Sequence, residues 1–252
     1  MSTRVALITG ASRGLGRSMA LHLAHAGVDV IGTFRERADE AQATARDVEA
    51  HGRRAVMLPL DVAQSASFAT FADEVRRVLR DTFDRAAFDY LVNNAGHALH
   101  AHDAATTEAD FDAVMAVHLK APFFLTQHLL PLLADGGRVL NVSSGLARFS
   151  YPGYGAYGAA KGAVEVLTRY MAQEFAARGI TVNCVAPGAI ATDFGGGAVR
   201  DIPAVNRQVA AAIALGRPGE ADDVGAAVAA LLSDGMRWVN GARLEVSGGQ
   251  NL

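Results

Sequence analysis

The sequence predicts an α/β fold in which a doubly wound parallel sheet of about seven strands carries helices on both faces. Three observations support this prediction. Short apolar runs rich in β-branched residues recur along the chain, stretches with helical spacing of apolar residues alternate with them, and several of these stretches end at a glycine. Such apolar runs are typical of strands buried on both faces of a parallel sheet. Strict alternation with right-handed crossovers then places helices on both faces of that sheet.

The predicted strands are apolar runs bounded by glycine or polar residues, and they span residues 5–9, 28–33, 55–60, 90–92, 138–142, 181–185 and 243–246. The predicted helices show spaced apolar positions, and they span residues 15–26, 38–51, 65–79, 108–133, 154–178 and 221–233. Gly27, Gly52 and Gly179 each follow a helix, where glycine takes the left-handed stop conformation without a Cβ clash.

Length and composition indicate one domain spanning residues 1–252, because half of the 252 residues are hydrophobic. Within it, the segment 193–218 contains three consecutive glycines and two prolines and is expected to be irregular, forming a mobile lid over the carboxyl ends of the strands. The formal net charge of −3 implies neither a nucleic-acid partner nor an anionic membrane.

The chain carries one cysteine, Cys184, which excludes an intrachain disulfide and fits a reducing compartment. No apolar run approaches the roughly 20 residues of a membrane helix, and the first residues lack a signal-peptide layout. A soluble cytoplasmic protein is therefore expected.

A glycine-rich turn follows the first predicted strand and is the first candidate binding site. Gly10, Gly14 and Gly16 lie between that strand and the first helix, with Ser12, Arg13 and Leu15 among them. A pyrophosphate needs close backbone approach and the positive end of a helix, and glycines allow both. Glycine-rich loops also serve as simple turns, but the position between a strand and an amphipathic helix favours a dinucleotide.

The tip of the second predicted strand favours a phosphorylated nucleotide. NAD sites usually place an acid there to bind the ribose 2′-hydroxyl, whereas this chain has Thr33, Phe34 and Arg35. Together with Arg13, these residues offer two guanidinium groups and a hydroxyl, which suit a 2′-phosphate. NADP(H) is the predicted cofactor. Glu36 would favour NADH if its carboxylate turned inward, and the neighbouring arginines could be ordinary solvated charges.

The pattern of three further residues predicts proton transfer to or from an oxygen. Tyr157 and Lys161 are four residues apart on one predicted helix and so share a face, and Ser144 ends the preceding strand. A nearby ammonium should lower the pKa of a tyrosine from its usual value of about 10. Tyr157 could then exchange a proton with a carbonyl or alcohol oxygen that Ser144 holds.

The sequence resembles the short-chain dehydrogenase/reductase family over essentially its whole length. The matching motifs are Thr9-Gly10-x-x-x-Gly14-x-Gly16, Asn93-Asn94-Ala95-Gly96, Ser144, Tyr157-x-x-x-Lys161 and Pro187-Gly188 followed by Thr192. The resemblance implies a Rossmann-like domain and an NAD(P)-dependent oxidoreductase acting on CH–OH or C=O groups. It also implies an assembly, usually a homotetramer and otherwise a homodimer, formed through the helices 108–133 and 154–178 and an edge near the carboxyl terminus.

The resemblance assigns further cofactor contacts. Asp61 and Val62 would flank the adenine, and Lys161 would also bind the nicotinamide ribose. By resemblance, the segment Asn93-Asn94-Ala95-Gly96 would pack under the cofactor and brace the sheet, with Asn93, Ala95 and Gly96 as cofactor contacts. The remaining contacts by resemblance are Pro187, Gly188, Ile190 and Thr192 at the carboxamide.

One position departs from the family pattern. Family members commonly have an asparagine that holds a water in a relay to the lysine, and His118 occupies that position here. A neutral imidazole could replace the amide or pass protons itself. Alternatively, His118 is a helix histidine with no catalytic part.

The substrate side is predicted from a histidine cluster and an aromatic loop. Of His97, His100 and His102, we expect His97 to line the substrate mouth and the other two to be solvated, with no metal site. Phe149, Tyr151 and Tyr154 follow Ser144 and could shape a pocket for an apolar or cyclic carbonyl. They could equally pack against the lid or a neighbouring subunit.

Three functions remain open at this point. The first is an NADPH-dependent carbonyl reductase or alcohol dehydrogenase acting on a small molecule. The second is a 3-oxoacyl-[acyl-carrier-protein] reductase, which is disfavoured because residues 128–137 contain no Lys or Arg to bind an acidic carrier, and Arg178 is the only nearby candidate. The third is a non-catalytic NADP(H) sensor, which would have no need of the Ser/Tyr/Lys set.

Overall fold

The computed structural model describes residues 3–252. Seven parallel strands form one sheet in the order β3-β2-β1-β4-β5-β6-β7. Their bounds are β1 Val5–Ile8, β2 Asp29–Phe34, β3 Ala55–Pro59, β4 Phe88–Asn93, β5 Leu133–Val142, β6 Thr181–Pro187 and β7 Arg243–Val246. The predicted α/β class and strand number are confirmed.

The helices lie between the strands and cover both faces of the sheet. Their bounds are α1 Gly14–His25, α2 Ala38–Ala50, α3 Phe68–Phe83, α4 Glu108–Met115, α5 Ala121–Leu129, α6 Gly155–Glu174, α7 Ala198–Asp201, α8 Pro203–Ala211 and α9 Ala221–Leu231. Gly27, Gly52 and Gly179 have φ of 86°, 72° and 66°. The left-handed stops predicted from the sequence are therefore present.

Two hydrophobic cores lie on opposite faces of the sheet because successive strand side chains point to opposite faces. Val5 and Leu7 of β1 belong to the core that includes residues of α3, α5 and α6. Ala6 and Ile8 belong to the core that includes residues of α1 and α9. Every side chain of β1 is thus buried, which explains why the strand reads as a continuous apolar run.

The strand order reverses between β1 and β4, so the connections leaving these two strands run in opposite directions. In open α/β sheets such a switch point leaves a crevice at the carboxyl ends of the strands, where ligands bind. The glycine loop after β1 and the Asn94-Ala95-Gly96 segment after β4 both lie at this crevice.

The predicted helix 108–133 is wrong in two respects. It is interrupted after α4 by a π-helical turn over Ala116–Lys120, which contains His118, before α5 continues. Its last residue, Leu133, belongs instead to β5, which begins there and pairs with β4 at Phe88 ahead of a register shift.

Two other predictions need smaller corrections. The predicted helix 65–79 begins as a 3-10 turn and its α-helical part, α3, runs on to Phe83, because Asp84 rather than a glycine takes the left-handed cap conformation with φ of 54°. The segment 193–218 is not irregular, since it contains a 3-10 turn over Phe194–Gly197 followed by α7 and α8.

Within residues 3–252, none of the helices combines the length and the apolar character needed to cross a lipid bilayer.

Candidate active site

A cavity of about 1000 Å³ opens at the carboxyl ends of the strands. It extends from the glycine loop and the end of β2, past Tyr157, to the segment that carries α7 and α8. This volume is at the upper end of the roughly 300–1,000 Å³ typical of ligand pockets. One continuous cavity therefore connects the predicted nucleotide site with the predicted catalytic residues.

The glycine loop has the geometry that a phosphate cradle requires. Helix α1 begins without a side-chain cap and has no acidic residue in its first turn, so its first N–H groups are available to an anion. A Cβ built on Gly16 would lie 2.1 Å from the Gly10 carbonyl oxygen and 2.6 Å from Nδ2 of Asn94. The loop can adopt this close approach only with glycine at position 16.

Two residues hold this loop against the sheet. The backbone N–H of Gly10 donates to the Thr33 hydroxyl at 3.1 Å, and Thr33 is only 1% exposed. Asn94 donates from Nδ2 to the Thr9 and Gly10 carbonyl oxygens at 2.8 and 3.2 Å. Thr33, expected to offer its hydroxyl to a 2′-phosphate, thus already binds the glycine loop.

Two arginines lie at the end of the cavity beside the glycine loop, and each is paired with a carboxylate. Arg13 and Arg35 both line it. Arg13 pairs with Asp193 at 3.0 Å and lies 3.9 Å from Glu40, and Arg35 pairs with Glu36 at 2.9 Å. The Glu36 carboxylate is thus held by its neighbour, and its side chain is 71% exposed.

Most residues predicted to bind cofactor or substrate line this cavity. Those that do are Gly10, Arg13, Gly14, Leu15, Gly16, Thr33, Arg35, Asp61, Val62, Ala95, Gly96, His97, His118, Ser144, Phe149, Tyr151, Tyr154, Tyr157, Lys161, Pro187, Gly188, Ile190 and Thr192.

Two predicted cofactor residues do not line the cavity. Asn93 is buried, and its Nδ2 donates to Thr126 at 3.0 Å and to Asn141 at 2.8 Å, so it joins β4 to α5 and β5. Ser12 faces α2, where its carbonyl oxygen accepts from Thr44 at 3.1 Å. The cavity residue of the asparagine pair is Asn94, not Asn93.

Ser144, Tyr157 and Lys161 meet in the interior of the cavity. The Ser144 hydroxyl accepts from the backbone N–H of Leu146 at 3.2 Å and lies close enough to Tyr157 to act on its pKa. Lys161 is 5% exposed, and its Nζ lies 5.5 Å from the centre of the Tyr157 ring. Nζ also donates to the Val142 carbonyl oxygen at 2.7 Å, which fixes the amine at the end of β5.

Burial dominates the ionisation of this group. It raises the pKa of Tyr157 above its ordinary value, and the hydrogen bond with Ser144 acts in the opposite direction. Burial also lowers the pKa of Lys161 to about 8. The prediction that the pKa of Tyr157 is lowered is therefore wrong, because burial disfavours the charged phenolate.

His118 is a neutral imidazole beside this group. It is 2% exposed, and burial, followed by the nearby positive charge of Lys161, lowers its pKa to about 2. Its Nε2 lies 2.8 Å from the His97 carbonyl oxygen. Nε2 therefore carries the proton and donates, which leaves Nδ1 as a buried acceptor without a partner among the described residues.

The far end of the cavity is lined by rings. Tyr154 and Phe194 lie 6.5 and 6.1 Å from the Tyr157 ring, and Phe149 contacts Tyr151 edge-on at 5.8 Å. His100 and His102 are both exposed, as expected, and His100 also lines the cavity and packs against Tyr154 at 5.0 Å. Within residues 3–252, no group of three His, Cys, Asp or Glu side chains has an arrangement that could hold a metal.

The segment 193–218, which the sequence predicts to be a lid over the site, forms one wall of the cavity, but its individual lining residues were not predicted. Its cavity-lining members are Asp193, Phe194, Gly195, Gly196, Ala198, Val199, Val205, Gln208 and Val209. The spacing of Val205, Gln208 and Val209 is helical and could have indicated one face of α8, but Pro203 and the glycine run suggested a loop.

Comparisons with known proteins identify the family of this chain. The family model described as "Enoyl-(Acyl carrier protein) reductase" matches residues 10–251. A chloroplastic NADPH-dependent aldehyde reductase-like protein of Arabidopsis thaliana is 34% identical over 264 residues, covering 99% of this chain and 94% of that protein. A short-chain type dehydrogenase/reductase of Picea abies is 35% identical over 259 residues, covering 98% of this chain and 92% of that protein.

Solved structures of reductases are also similar to this chain. The reductase LugOII, described as promiscuous and as catalysing keto-reduction at C1 during lugdunomycin biosynthesis, superposes with a TM-score of 0.94 at 37% identity, covering 100% of this chain and 99% of that one. The structure of the angucycline C-6 ketoreductase LanV with bound NADP superposes with a TM-score of 0.93 at 36% identity, covering 98% of this chain and 95% of that one. The chain belongs to the short-chain dehydrogenase/reductase family and is an oxidoreductase of that family.

Proposed function

We propose that the protein is an NADPH-dependent carbonyl reductase that transfers a hydride between nicotinamide and a small-molecule ketone, aldehyde or alcohol. The observation that carries this proposal is the single cavity in which the uncapped start of α1 opens toward the Ser144, Tyr157 and Lys161 cluster. An anion-binding helix end and a proton-transfer group in one cavity are what hydride transfer to a carbonyl requires.

The residues of the outer cavity fit NADPH. Gly16 leaves a cradle that a Cβ would fill, the N–H groups of α1 bind the pyrophosphate, and Arg13 and Arg35 bind the 2′-phosphate. Asp61 and Val62 would hold the adenine, and the cavity-lining residues between Pro187 and Thr192 would hold the nicotinamide. Bound NADPH supplies the hydride. A relative named as NADPH-dependent and a solved neighbour with bound NADP support this choice of nucleotide.

Ser144, Tyr157 and Lys161 supply the proton chemistry. Ser144 holds the substrate oxygen by a hydrogen bond, and Tyr157 donates its phenolic proton to that oxygen as negative charge develops there. A raised pKa keeps the phenol protonated near neutral pH, so it is in the acid form that reduction needs. Lys161, with its pKa lowered to about 8, is still mainly cationic at neutral pH and stabilises the phenolate that remains.

His118 acts as a positioning residue. Its ring packs edge-on against Tyr157, and its buried Nδ1 faces inward as a hydrogen-bond acceptor. A pKa of about 2 keeps it neutral. It therefore replaces an amide as a hydrogen-bonding group and does not serve as a charged proton donor.

The carrier-protein alternative is weaker. The family model is named for an enoyl reductase of the acyl carrier protein. The similar proteins, however, include some named for aldehyde, hydroxynaphthalene and angucycline reduction. Arg178 pairs with Asp135 and donates to the Leu130 and Leu133 carbonyl oxygens, so the guanidinium considered for carrier binding is already engaged. Measurement of turnover distinguishes an enzyme from a non-catalytic NADP(H) sensor.

The experiment follows NADPH oxidation with a panel of ketones, diketones and acyl thioesters, using the native chain and Tyr157→Phe. We expect turnover of ketones and a loss of kcat of about 10²–10⁴-fold in the variant, with NADPH affinity unchanged. NADPH binding without turnover of any carbonyl would favour the sensor. A strong preference for acyl thioesters would favour the carrier-linked reaction.

We also propose that the chain is a single nucleotide-binding domain with the segment 193–218 as its mobile lid, and that it works in the cytoplasm as a homotetramer or homodimer. Exposed apolar side chains on α4, α5 and α6 support the assembly, and they are Phe111, Phe123, Phe124, Val166 and Tyr170. Light scattering of the purified protein tests the oligomeric state.

A further inference from the structure

We infer that the preferred substrate is a neutral ketone fused to a flat aromatic ring system, so that the carbonyl carbon belongs to a ring rather than to a flexible chain. This inference rests on the proposed function and specifies its substrate class. The observation behind it is the concentration of aromatic side chains around Tyr157 at the substrate end of the cavity.

Rings from two separate elements converge on the reacting phenol. Tyr154, at the start of α6, lies 6.5 Å from Tyr157 at an interplanar angle of 71°. Phe194, in the segment before α7, lies 6.1 Å from Tyr157 at 56°. Aromatic pairs with centroids 4.5–7 Å apart attract one another by edge-to-face contact. A flat ring carrying the reacting carbonyl would meet two such partners.

Several of these rings are exposed to the cavity. Phe194 is 47% exposed and Tyr151 is 37% exposed, although both are large and largely apolar. Phe149 stands at 89° to Tyr151, so the wall presents ring edges as well as faces. Because burying a ring of this size removes much apolar surface from water, a substrate that covers these side chains gains affinity in proportion to its own apolar area.

The charged residues of the cavity lie mainly at its nucleotide end, which favours a neutral substrate at the other end. Its charged lining residues are Arg13, Arg35, Glu36, Arg37, Asp61, Lys161 and Asp193. All except Lys161 and Asp193 lie on the loops after β1, β2 and β3, at the nucleotide end. Lys161 is buried, and Asp193 is an anion paired with Arg13 and Arg200. Apart from Lys161, which is buried and donates to the Val142 carbonyl oxygen, the lining residues place no cation at the substrate end to bind a carboxylate or phosphate.

Neutral polar groups are present instead. Tyr151 and Tyr154 carry hydroxyls, His97 has a pKa lowered by burial and so is neutral, and Gln208 carries an amide. These groups can each donate and accept hydrogen bonds. They suit hydroxyl or further carbonyl substituents on the ring system.

The test compares three ketones of matched size under NADPH saturation. 2-Tetralone has the carbonyl in a ring fused to an aromatic ring, 2-decalone has the same skeleton saturated, and 4-phenyl-2-butanone has the aromatic ring on a flexible chain. We expect kcat/KM for 2-tetralone to exceed both others by about tenfold, with most of the difference in KM. Acetoacetyl-coenzyme A serves as the anionic comparison and should be the poorest substrate.

Variants at Phe194 connect the preference to the rings. Phe194→Leu should lower the ratio of kcat/KM for 2-tetralone over 2-decalone about fivefold, whereas Phe194→Tyr, which keeps a ring, should retain it. Equal kcat/KM for the three ketones, or a ratio that Phe194→Leu leaves unchanged, would overturn the substrate class while leaving carbonyl reduction intact. Turnover of none of the three with NADPH bound would overturn the proposed function itself, and the substrate class with it.

Discussion

The imidazole of His118 packs edge-on against the phenol of Tyr157, with ring centres 5.0 Å apart and an interplanar angle of 81°. Two contacts hold the imidazole, since Nε2 donates to the His97 carbonyl oxygen and the His97 ring lies 5.4 Å away. The imidazole also lies so close to Gly96 that a Cβ at that position would approach Cε1 within 2.7 Å. His118 lies in a π-helical turn, a local irregularity common at functional sites. Its ring is held in place by these neighbours and in turn supports the ring of Tyr157.

Replacing His118 by Ala should lower kcat about tenfold or more, because the phenol loses its brace and a small misplacement of a reacting group is costly. His118→Asn is the matched variant, since it keeps a buried hydrogen-bonding group, and it should retain most of the activity. The pH profile gives a further check. A histidine that is neutral above a pKa of about 2 contributes no step near neutrality, so the profile of His118→Asn should keep its shape between about pH 5 and 8. Equal kcat in the native chain and the Ala variant would remove His118 from the positioning of Tyr157.

The same burial should make the fold sensitive to acid. The pKa of His118 falls from the usual 6.5 to about 2 on folding, so below about pH 6.5 the unfolded chain binds a proton that the folded chain does not. The free energy of unfolding is therefore highest above the pKa of the unfolded chain. It decreases as pH falls below that value, by up to about 1.4 kcal/mol per pH unit for this one group.

Urea unfolding of the native chain and His118→Asn at pH 7 and pH 5 measures this effect. We expect the free energy of unfolding to fall more steeply in the native chain, with a difference between the two chains of about 2 kcal/mol over this interval. Parallel losses in both chains would show that His118 is protonated in the folded state at an ordinary pKa.

Much of this site could be predicted from the sequence, because its phosphate cradle and its proton-transfer group are local patterns. Gly16 follows β1 at a fixed distance, and Tyr157 and Lys161 share a helix face, so periodicity alone places them. The sequence could not show that Asn94 rather than Asn93 lines the cavity, because the two residues are identical and adjacent and differ only in which side of the strand end they face. Phe194 was missed for another reason: its place at the cavity depends on how the glycine run folds back over the sheet, which is a tertiary contact without a local signal.

Gly16→Ala should abolish NADPH binding or strongly weaken it, since its Cβ would lie 2.1 Å from the Gly10 carbonyl oxygen and force the phosphate cradle open. Gly162→Ala is the matched control. Gly162 lies inside α6, and a Cβ there would meet nothing within 4 Å, so this variant should bind NADPH normally and gain roughly 0.5–1 kcal/mol of helix stability. Calorimetric titration with NADPH and thermal unfolding of both variants provide the measurements. Normal NADPH affinity in Gly16→Ala would show that the loop does not carry the pyrophosphate.

Arg13 has competing partners at the nucleotide end of the cavity. It pairs with Asp193 at 3.0 Å and approaches Glu40 at 3.9 Å, with its side chain 44% exposed. Exposed pairs of this kind contribute little, about 0–1 kcal/mol, whereas a phosphate forms stronger charge-assisted hydrogen bonds with a guanidinium. A 2′-phosphate should therefore take Arg13 from Asp193.

Arg13→Gln should then raise the Kd for NADPH about tenfold and leave the Kd for NADH unchanged, because only the phosphorylated nucleotide makes this contact. Asp193→Asn should do the opposite and tighten NADPH binding two- to threefold, since it removes the competing carboxylate. Arg17→Gln is the control, because Arg17 pairs with Asp47 at 2.7 Å and is not a lining residue of the cavity. Titrations of both nucleotides at low and high salt would measure these effects, and the Arg13 effect should shrink as salt rises. If Arg13→Gln weakened NADPH and NADH binding equally, Arg13 would be acting on the shape of the glycine loop and the 2′-phosphate would have to be bound elsewhere, with Arg35 as the next residue to replace.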